Sequence, residues 1–222
     1  MGDNVANTLS KCTFIGSITL SDGLTEIGEF AFHRCRNLEI IVIPETVTKI
    51  APYAFADSGL KSIILPDGLT EIGEYAFYRC RNLETVVIPD SITKIGHYAF
   101  WYSGLKSITL LDGRLTEIGR GTFRNCQNLE TVVIPETVTK IGSEAFTSSR
   151  LKSIILPHGL TEIGGAAFFD CSNLETVVIP ETVTKIGRYA FAFSGLKLII
   201  LPHGVEIESD AFYGYRDLVV KS

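Results

Sequence analysis

One apolar pattern recurs along the whole chain. Leu-x-x-Ile/Val-x-Leu/Ile reads as Leu60, Ile63, Leu65, then Leu83, Val86, Ile88, then Leu105, Ile108, Leu110. Its last two apolar positions alternate with polar or solvent-facing ones, the period-2 signature of a half-buried strand. A proline usually closes it (Pro44, Pro66, Pro89, Pro135, Pro157, Pro180, Pro202), which ends the ladder at a fixed point. A turn follows, often with glycine, as at Gly68, Gly113, Gly159 and Gly204. Leu/Val/Ile-Thr-Glu/Lys-Ile then predicts a second short strand, and Gly-x-x-Ala-Phe predicts a short helical turn back to the start. The phenylalanine of that motif sits at Phe32, Phe55, Phe77, Phe100, Phe123, Phe146, Phe168, Phe191 and Phe212, at intervals of 21 to 23 residues. A fixed period of this length predicts a solenoid, in which each coil buries its face against its neighbours. Residues 1–222 therefore read as one domain of about nine repeats, with no linker and no change of composition.

The repeats are of two kinds. One contains Cys80-Arg-Asn-Leu-Glu-Thr-Val-Val-Ile-Pro, the other Ser58-Gly-Leu-Lys-Ser-Ile-Ile-Leu-Pro, so the higher-order period is 44–46 residues. Leu9 and Cys12 fall in the phenylalanine and cysteine slots, which makes residues 1–14 a partial first coil, and residues 213–222 read as an incomplete last one. Arg114 is an insertion and Leu111 replaces the closing proline, so that turn should bulge. Ala51 and Glu208 replace the glycine before the predicted helical turn, and Tyr215 replaces a cysteine.

Gly73-Glu-Tyr-Ala-Phe-Tyr-Arg-Cys-Arg-Asn-Leu-Glu-Thr-Val-Val-Ile-Pro resembles the consensus of the BspA-like leucine-rich repeats, and the likeness runs from about Leu9 to Leu218. The resemblance implies an α/β fold: a right-handed β/α solenoid with a parallel concave sheet and short helical turns. It also implies binding rather than catalysis, by a cell-surface or secreted adhesin. Met1–Cys12 has neither the basic nor the apolar stretch of a signal peptide. Free cysteines would also fit the cytoplasm, so the compartment stays open.

Charge refines this picture. Two columns alternate in sign from coil to coil: Glu39, Lys61, Glu84, Lys106, Glu130, Lys152, Glu175, Lys197, and Glu26, Lys49, Glu71, Lys94, Glu117, Lys140, Glu162, Lys185, Glu206. Opposite charges on adjacent strands favour the pairing, so the ladders should set coil order. A third column at the strand ends does not alternate: Asp22, Glu45, Asp67, Asp90, Asp112, Glu136, His158, Glu181, His203. Its seven carboxylates account for more than the net charge of −5. A globally basic nucleic-acid binder is disfavoured. Mean hydropathy is +0.24, yet no apolar run approaches a membrane span.

Cys35, Cys80, Cys126 and Cys171 recur every second coil, roughly 10 Å apart and beyond disulfide reach, leaving Cys12 and Cys35 as the one conceivable bridge. There is no metal or redox Cys-x-x-Cys, no phosphate loop, and no HExxH or GxSxG. A catalytic constellation needs one nucleophile, one base and one orienting group, whereas identical coils supply columns of the same group. The chain reads as a non-enzyme without cofactor or metal.

Two surfaces are candidates for recognition. One lies around the Ala-Phe motifs, where the repeats differ most: Tyr75, Tyr78, Arg79, Tyr98, Trp101, Tyr102 and Arg124, with Arg36 and Arg81 adding a basic stripe. Tyr, Trp and Arg are the types enriched at binding hot spots. The other is the β-branched row expected on the concave face: Ile64, Val87, Thr109, Val133, Ile155 and Val178. The leading expectation is a scaffold that binds a protein partner. The alternatives are end-to-end self-association, a synthetic repeat sequence without a natural ligand, and polyanion or nucleic-acid binding through the arginines and aromatics, the nucleic acid being disfavoured by the acidic total.

Overall fold

The computed structural model describes residues 11–12, 14–215 and 218–221. Most of the partial first coil expected at 1–14 lies outside them. The chain winds as a parallel β-solenoid of about nine turns, in which every strand pairing is parallel and joins adjacent coils. Each coil contributes up to two strands. The longer ones, such as Thr85–Ile88, Ser107–Leu110 and Thr131–Val133, pair in register, with Val86 beside Ile108 and Ile108 beside Val132. Their inward residues are buried and the intervening ones face out, as the period-2 pattern requires. Two-residue strands beginning with the charged ladder residue build the second face.

The core is a column. Eight of the nine phenylalanines are fully buried, and successive rings from Phe32 to Phe212 stack nearly parallel, 5.0–5.7 Å between centroids. One ring per coil at about one strand spacing lets each aromatic face be covered by the next.

The short helical turns are not present: no helix occurs among the described residues. Gly-x-x-Ala-Phe instead forms linked β-turns. In one coil Ala76 N–H donates to the Gly73 carbonyl, Tyr78 to Tyr75, and Cys80 to Phe77. Tyr75 and Arg79 are left-handed, at φ 54° and 56°, which makes the first and third of these turns type II and stops helical propagation. The N–H groups between them point along the stack. Tyr75, Phe77 and Arg79 donate to the carbonyls of His97, Ala99 and Trp101 in the next coil at 2.7–3.1 Å. Inter-coil bonds have replaced the i→i−4 bonds of a helix.

Polar side chains make further ladders along the stack. Thr48, Thr70 and Thr93 hydroxyls donate to the carbonyls of Thr25, Thr48 and Thr70. At Cys80, Cys126 and Cys171, every second coil, the cysteine meets a serine. Cys80 Sγ donates to the Phe55 carbonyl at 3.1 Å and lies 3.3 Å from Ser58 Oγ, and Cys126 and Cys171 repeat this with Ser103 and Ser149. Tyr215 fills the same slot near the end, its hydroxyl reaching Ser194 Oγ and donating to the Phe191 carbonyl.

The charged ladders are only partly continuous. Lys61, Lys106, Lys152 and Lys197 each pair with the glutamate one coil earlier, at 2.6–2.8 Å, on exposed surface. In the second ladder Lys49 bridges Glu26 and Glu71, but Lys185 turns to Glu208. Exposed pairs of this kind are worth a few tenths of a kcal/mol each, so they bias register more than they add stability. In the strand-end column the carboxylates accept backbone N–H groups of the next coil: Glu45 from Asp67, Asp112 from Glu136, Glu136 from His158. That role offsets part of their mutual repulsion.

The bulge predicted at Arg114 is present and interrupts the second face. Thr139, Thr161 and Thr184 N–H donate to the carbonyl of the threonine one coil back, but no such bond joins Thr116 to Thr93. The two-residue strands accordingly fall into a four-stranded sheet before the insertion and a five-stranded sheet after it.

Candidate functional site

All seven residues of the predicted aromatic surface come together on the ridge of stacked turns. Tyr75 and Tyr98 belong to a ring column that starts at Phe30 and Tyr53, with centroids 4.8–5.2 Å apart. The column stops at Gly121, where a Cβ would lie 2.2 Å from the Tyr98 ring. Trp101 touches Tyr75, Tyr78, Tyr98 and Tyr102 at 5.0–6.1 Å. Arg79 lies over Tyr78 at 5.0 Å and Tyr102 at 6.0 Å, and Arg124 over Trp101 at 5.8 Å. Trp101 Nε1 donates to Asn125 Oδ1 at 3.4 Å. The rings are half-buried against one another, so much of their area serves the stack itself. Burial holds the Tyr75 hydroxyl above the ordinary phenol range.

Charge separates the arginines of this ridge into two groups. Arg120 and Arg124 both bind Glu144. Arg79, by contrast, forms no ion pair among the described residues, and neither do Arg36 and Arg81.

The second candidate surface is a continuous row across the long strands. Val87 pairs with Thr109, Thr109 with Val133, and Val133 with Ile155. Ile64 and Ile155 are 83% and 81% exposed, while Thr109 is half-buried. A groove of about 330 Å³ opens beside Ile155 and Val178, bounded by Pro180 and His158. His158 contacts Glu136 at 3.3 Å, and no cluster of three or more His, Cys, Asp or Glu able to hold a metal occurs among the described residues.

No disulfide joins the described cysteines, and Cys12 and Cys35 are not bridged. Burial pushes Cys80, Cys126 and Cys171 up to about 12, against the lowering by their serine partners, and Cys35 up to about 11. Such thiols stay protonated and do not act as nucleophiles. No helix among the described residues is long and apolar enough to cross a membrane.

Sequence reasoning missed the recesses behind the ridge. Where a coil carries Ser-Gly in place of Cys-Arg-Asn it is one residue shorter, and two grooves open there, one at Gly59 and one at Gly104. The signal was the alternation itself, read only as a repeat length.

Comparison with known proteins agrees with this geometry. Residues 5–129 and 105–219 match the BspA type leucine rich repeat region, in six copies. No curated protein matches the chain. Among solved structures, the chain is similar to a leucine-rich repeat protein from Bacteroides ovatus, at 30% identity and TM-score 0.78, over 89% of this chain and 54% of that one. It is also similar to the T. pallidum leucine-rich repeat protein, at 28% identity and TM-score 0.61, over 66% of this chain and 69% of that one. A leucine rich cell surface protein from Faecalibacterium prausnitzii matches at 25% identity and TM-score 0.53, over 97% of this chain and 75% of that one. The chain spans about half the length of the Bacteroides ovatus protein. With the repeat matched over nearly its whole length, the chain belongs to the BspA-type leucine-rich repeat family.

Proposed function

We propose that the chain is a non-enzymatic binding scaffold that engages a protein partner through its long-strand face. One observation carries this reading: the row Ile64, Val87, Thr109, Val133, Ile155, Val178 along the long-strand face, exposed and apolar except at half-buried Thr109 and paired strand to strand from Val87 to Ile155. Exposed apolar residues aligned across neighbouring strands are costly to leave in water and mark interaction surfaces. Ser62 and Thr85 beside them, and carboxylates beyond the strand ends, supply the polar rim expected of an interface. The cell-surface description of the Faecalibacterium prausnitzii protein supports presentation outside the cell.

The test is surface plasmon resonance against purified extracellular-matrix and epithelial surface proteins. Ile64→Asp with Ile155→Asp should abolish capture while leaving the circular dichroism spectrum unchanged. Undiminished affinity in that double variant overturns the assignment of the face. A second reading places the partner on the turn ridge, favoured by the single contiguous cluster of Tyr78, Trp101, Tyr102 and exposed Arg79. Alanine at Tyr78, Trp101 and Tyr102 together then weakens the partner instead.

A further inference from the structure

The two recesses behind the ridge follow from the two-coil repeat. In the long coil the chain runs Cys-Arg-Asn-Leu, and in the short coil Ser-Gly-Leu. The short coil draws in so far that a Cβ on Gly59 or Gly104 would lie 2.0 Å from the carbonyl oxygen of Arg36 or Arg81. The short coils at Gly59 and Gly104 are therefore glycine floors between projecting Arg/Asn or Gln/Asn walls.

The first recess, about 410 Å³, is walled by Arg36, Arg79, Arg81 and Asn82, with Asp57 the one acid on its lining. The second, about 250 Å³, shares Arg81 and adds Tyr102, Asn125, Gln127 and Asn128. Three guanidinium groups against one carboxylate leave the first recess at +2, within a chain whose formal charge is −5. None of the three arginines has an ion-pair partner among the described residues, and stacking on Tyr78 and Tyr102 orients Arg79. The two floors are two coils apart, roughly 10 Å. Repeated recesses sharing a central arginine suit a linear ligand with repeated charge.

We propose that this trough binds an acidic glycan, a linear polysaccharide bearing carboxylate or sulfate groups. Arginine forks bind such groups with two parallel hydrogen bonds. The amides of Asn82, Asn125, Gln127 and Asn128 offer both donors and acceptors, as sugar hydroxyls require. Tyr102 gives a ring edge beside them. Neither lining contains an aliphatic side chain, so a peptide would find no pocket for an apolar anchor. Single-stranded nucleic acid needs free aromatic faces for its bases, and here the rings stack on one another. This site is separate from the long-strand face and stands or falls independently of it.

Isothermal titration of the full chain at about 0.15 M salt, where exposed charges are screened beyond about 8 Å, tests the site. The probe is a size-defined sulfated uronic-acid hexasaccharide. A neutral hexasaccharide, a poly-glutamate peptide and a single-stranded oligonucleotide of equal charge serve for comparison. The acidic hexasaccharide should bind in preference to all three. Arg81→Gln should weaken it about tenfold, from the loss of one charged hydrogen-bonding group. Arg36→Gln, Arg79→Gln and Arg81→Gln together should abolish binding, whereas Arg114→Gln and Ile64→Asp should leave it unchanged. Absence of hexasaccharide binding overturns the proposal. So does equal or tighter binding of poly-glutamate or the oligonucleotide, or undiminished affinity in Arg81→Gln. Arg81 is exposed, and an unchanged melting curve for its variant separates loss of the site from loss of the fold.

Discussion

Deleting Arg114 should stabilise the protein. The insertion breaks a pattern that the neighbouring coils all obey. The residue after each strand-end turn donates its N–H to the closing residue's carbonyl, as Leu69 does to Pro66 and Val138 to Pro135, but Leu115 makes no such bond to Leu111. Thr116 N–H makes none to Thr93, although the equivalent threonines bond at 2.8–2.9 Å, and Gly119 N–H makes none to Ile95, although Gly96 and Gly142 bond back at 2.7 Å. Against these three absences stand one backbone–backbone bond, Arg114 N–H to the Asp90 carbonyl at 3.1 Å, and one to a side chain, Arg120 N–H to His97 Nδ1 at 3.1 Å. The coils also stand further apart. A Cβ on Gly119 would lie 3.2 Å from its nearest neighbour, against 2.4 Å at Gly96 and 2.5 Å at Gly164. A groove of about 270 Å³ opens there, lined by Thr93, Lys94, His97, Thr116 and Glu117.

Without Arg114 the segment reads Leu-Asp-Gly-Leu-Thr-Glu-Ile, matching Pro66-Asp-Gly-Leu-Thr-Glu-Ile apart from its first residue. A net gain of two backbone bonds, at about 1 kcal/mol each, predicts roughly 2 kcal/mol. For a chain of this size that raises the melting temperature by roughly 4–8 °C. Differential scanning calorimetry measures the shift. Because solenoid stability is a sum over neighbouring coils, the native protein should open first at this seam. Hydrogen exchange should therefore find the Thr116 and Gly119 amides less protected than those of Thr139 and Gly142. An unchanged or lower melting temperature in the deletion variant, or equal protection at the four amides, would refute the reasoning.

The ring column predicts that Phe100→Ala costs about 3–5 kcal/mol in urea unfolding, since it uncovers the faces of both Phe77 and Phe123. Tyr215→Phe removes the hydroxyl that serves Ser194 and the Phe191 carbonyl, and should cost about 1–3 kcal/mol in the same assay. With Cys80, Cys126 and Cys171 near 12, a thiol reagent at pH 8 should label Cys12 and spare these three until denaturant is added; rapid native labelling of all five contradicts the packing. The raised values also set a sign. These thiols are protonated in the native state and ionise near their ordinary 9.0 when unfolded, so their contribution is complete below about pH 9 and is lost as pH climbs toward 12. Urea midpoints should fall over that interval, and fall less in Cys126→Ala measured against its own pH 7 value.

The strands and the core were legible because they rest on burial. Val86 and Ile88 alternate with exposed residues at period 2, and the phenylalanine recurs at the length of one coil, so each could be assigned a side of the sheet or a place in the column. The return segment was misread because its residue types suit a short helix, while its backbone is decided by hydrogen bonds to the next coil. Left-handed Tyr75 and Arg79 run against the preference for Gly, Asn and Asp at such positions, and each costs of order 1–2 kcal/mol. Columns read down the stack did carry the clue. Gly121 stands in line with Tyr75 and Tyr98, while Asp57, Asn125 and Asp170 stand in line with Arg79, and all are left-handed. The aromatic cluster was legible as a set of variable positions, but which arginines are committed to carboxylates depends on Glu144, whose place beside Arg120 and Arg124 only the fold shows.

The two-coil period itself links stability to recognition. A stack of identical coils would present a uniform edge, and any slip by one coil would go unopposed. Here a one-coil slip sets Cys80 against Cys126 in place of Ser58 against Cys80, and glutamate against glutamate in both ladders. The same alternation makes every second coil one residue short after its serine, and where glycine follows, at Gly59 and Gly104, that shortening creates the recesses. Register and recess are thus one feature of the sequence. Lengthening a short coil, by inserting Asn after Gly104, should fill the second recess and also displace Ser103 from Cys126, which it meets at 3.3 Å. Replacing Arg81 alone should empty the recess of charge and leave the Ser–Cys contacts intact. If binding and stability are coupled as the geometry requires, the insertion lowers both and the substitution lowers only binding.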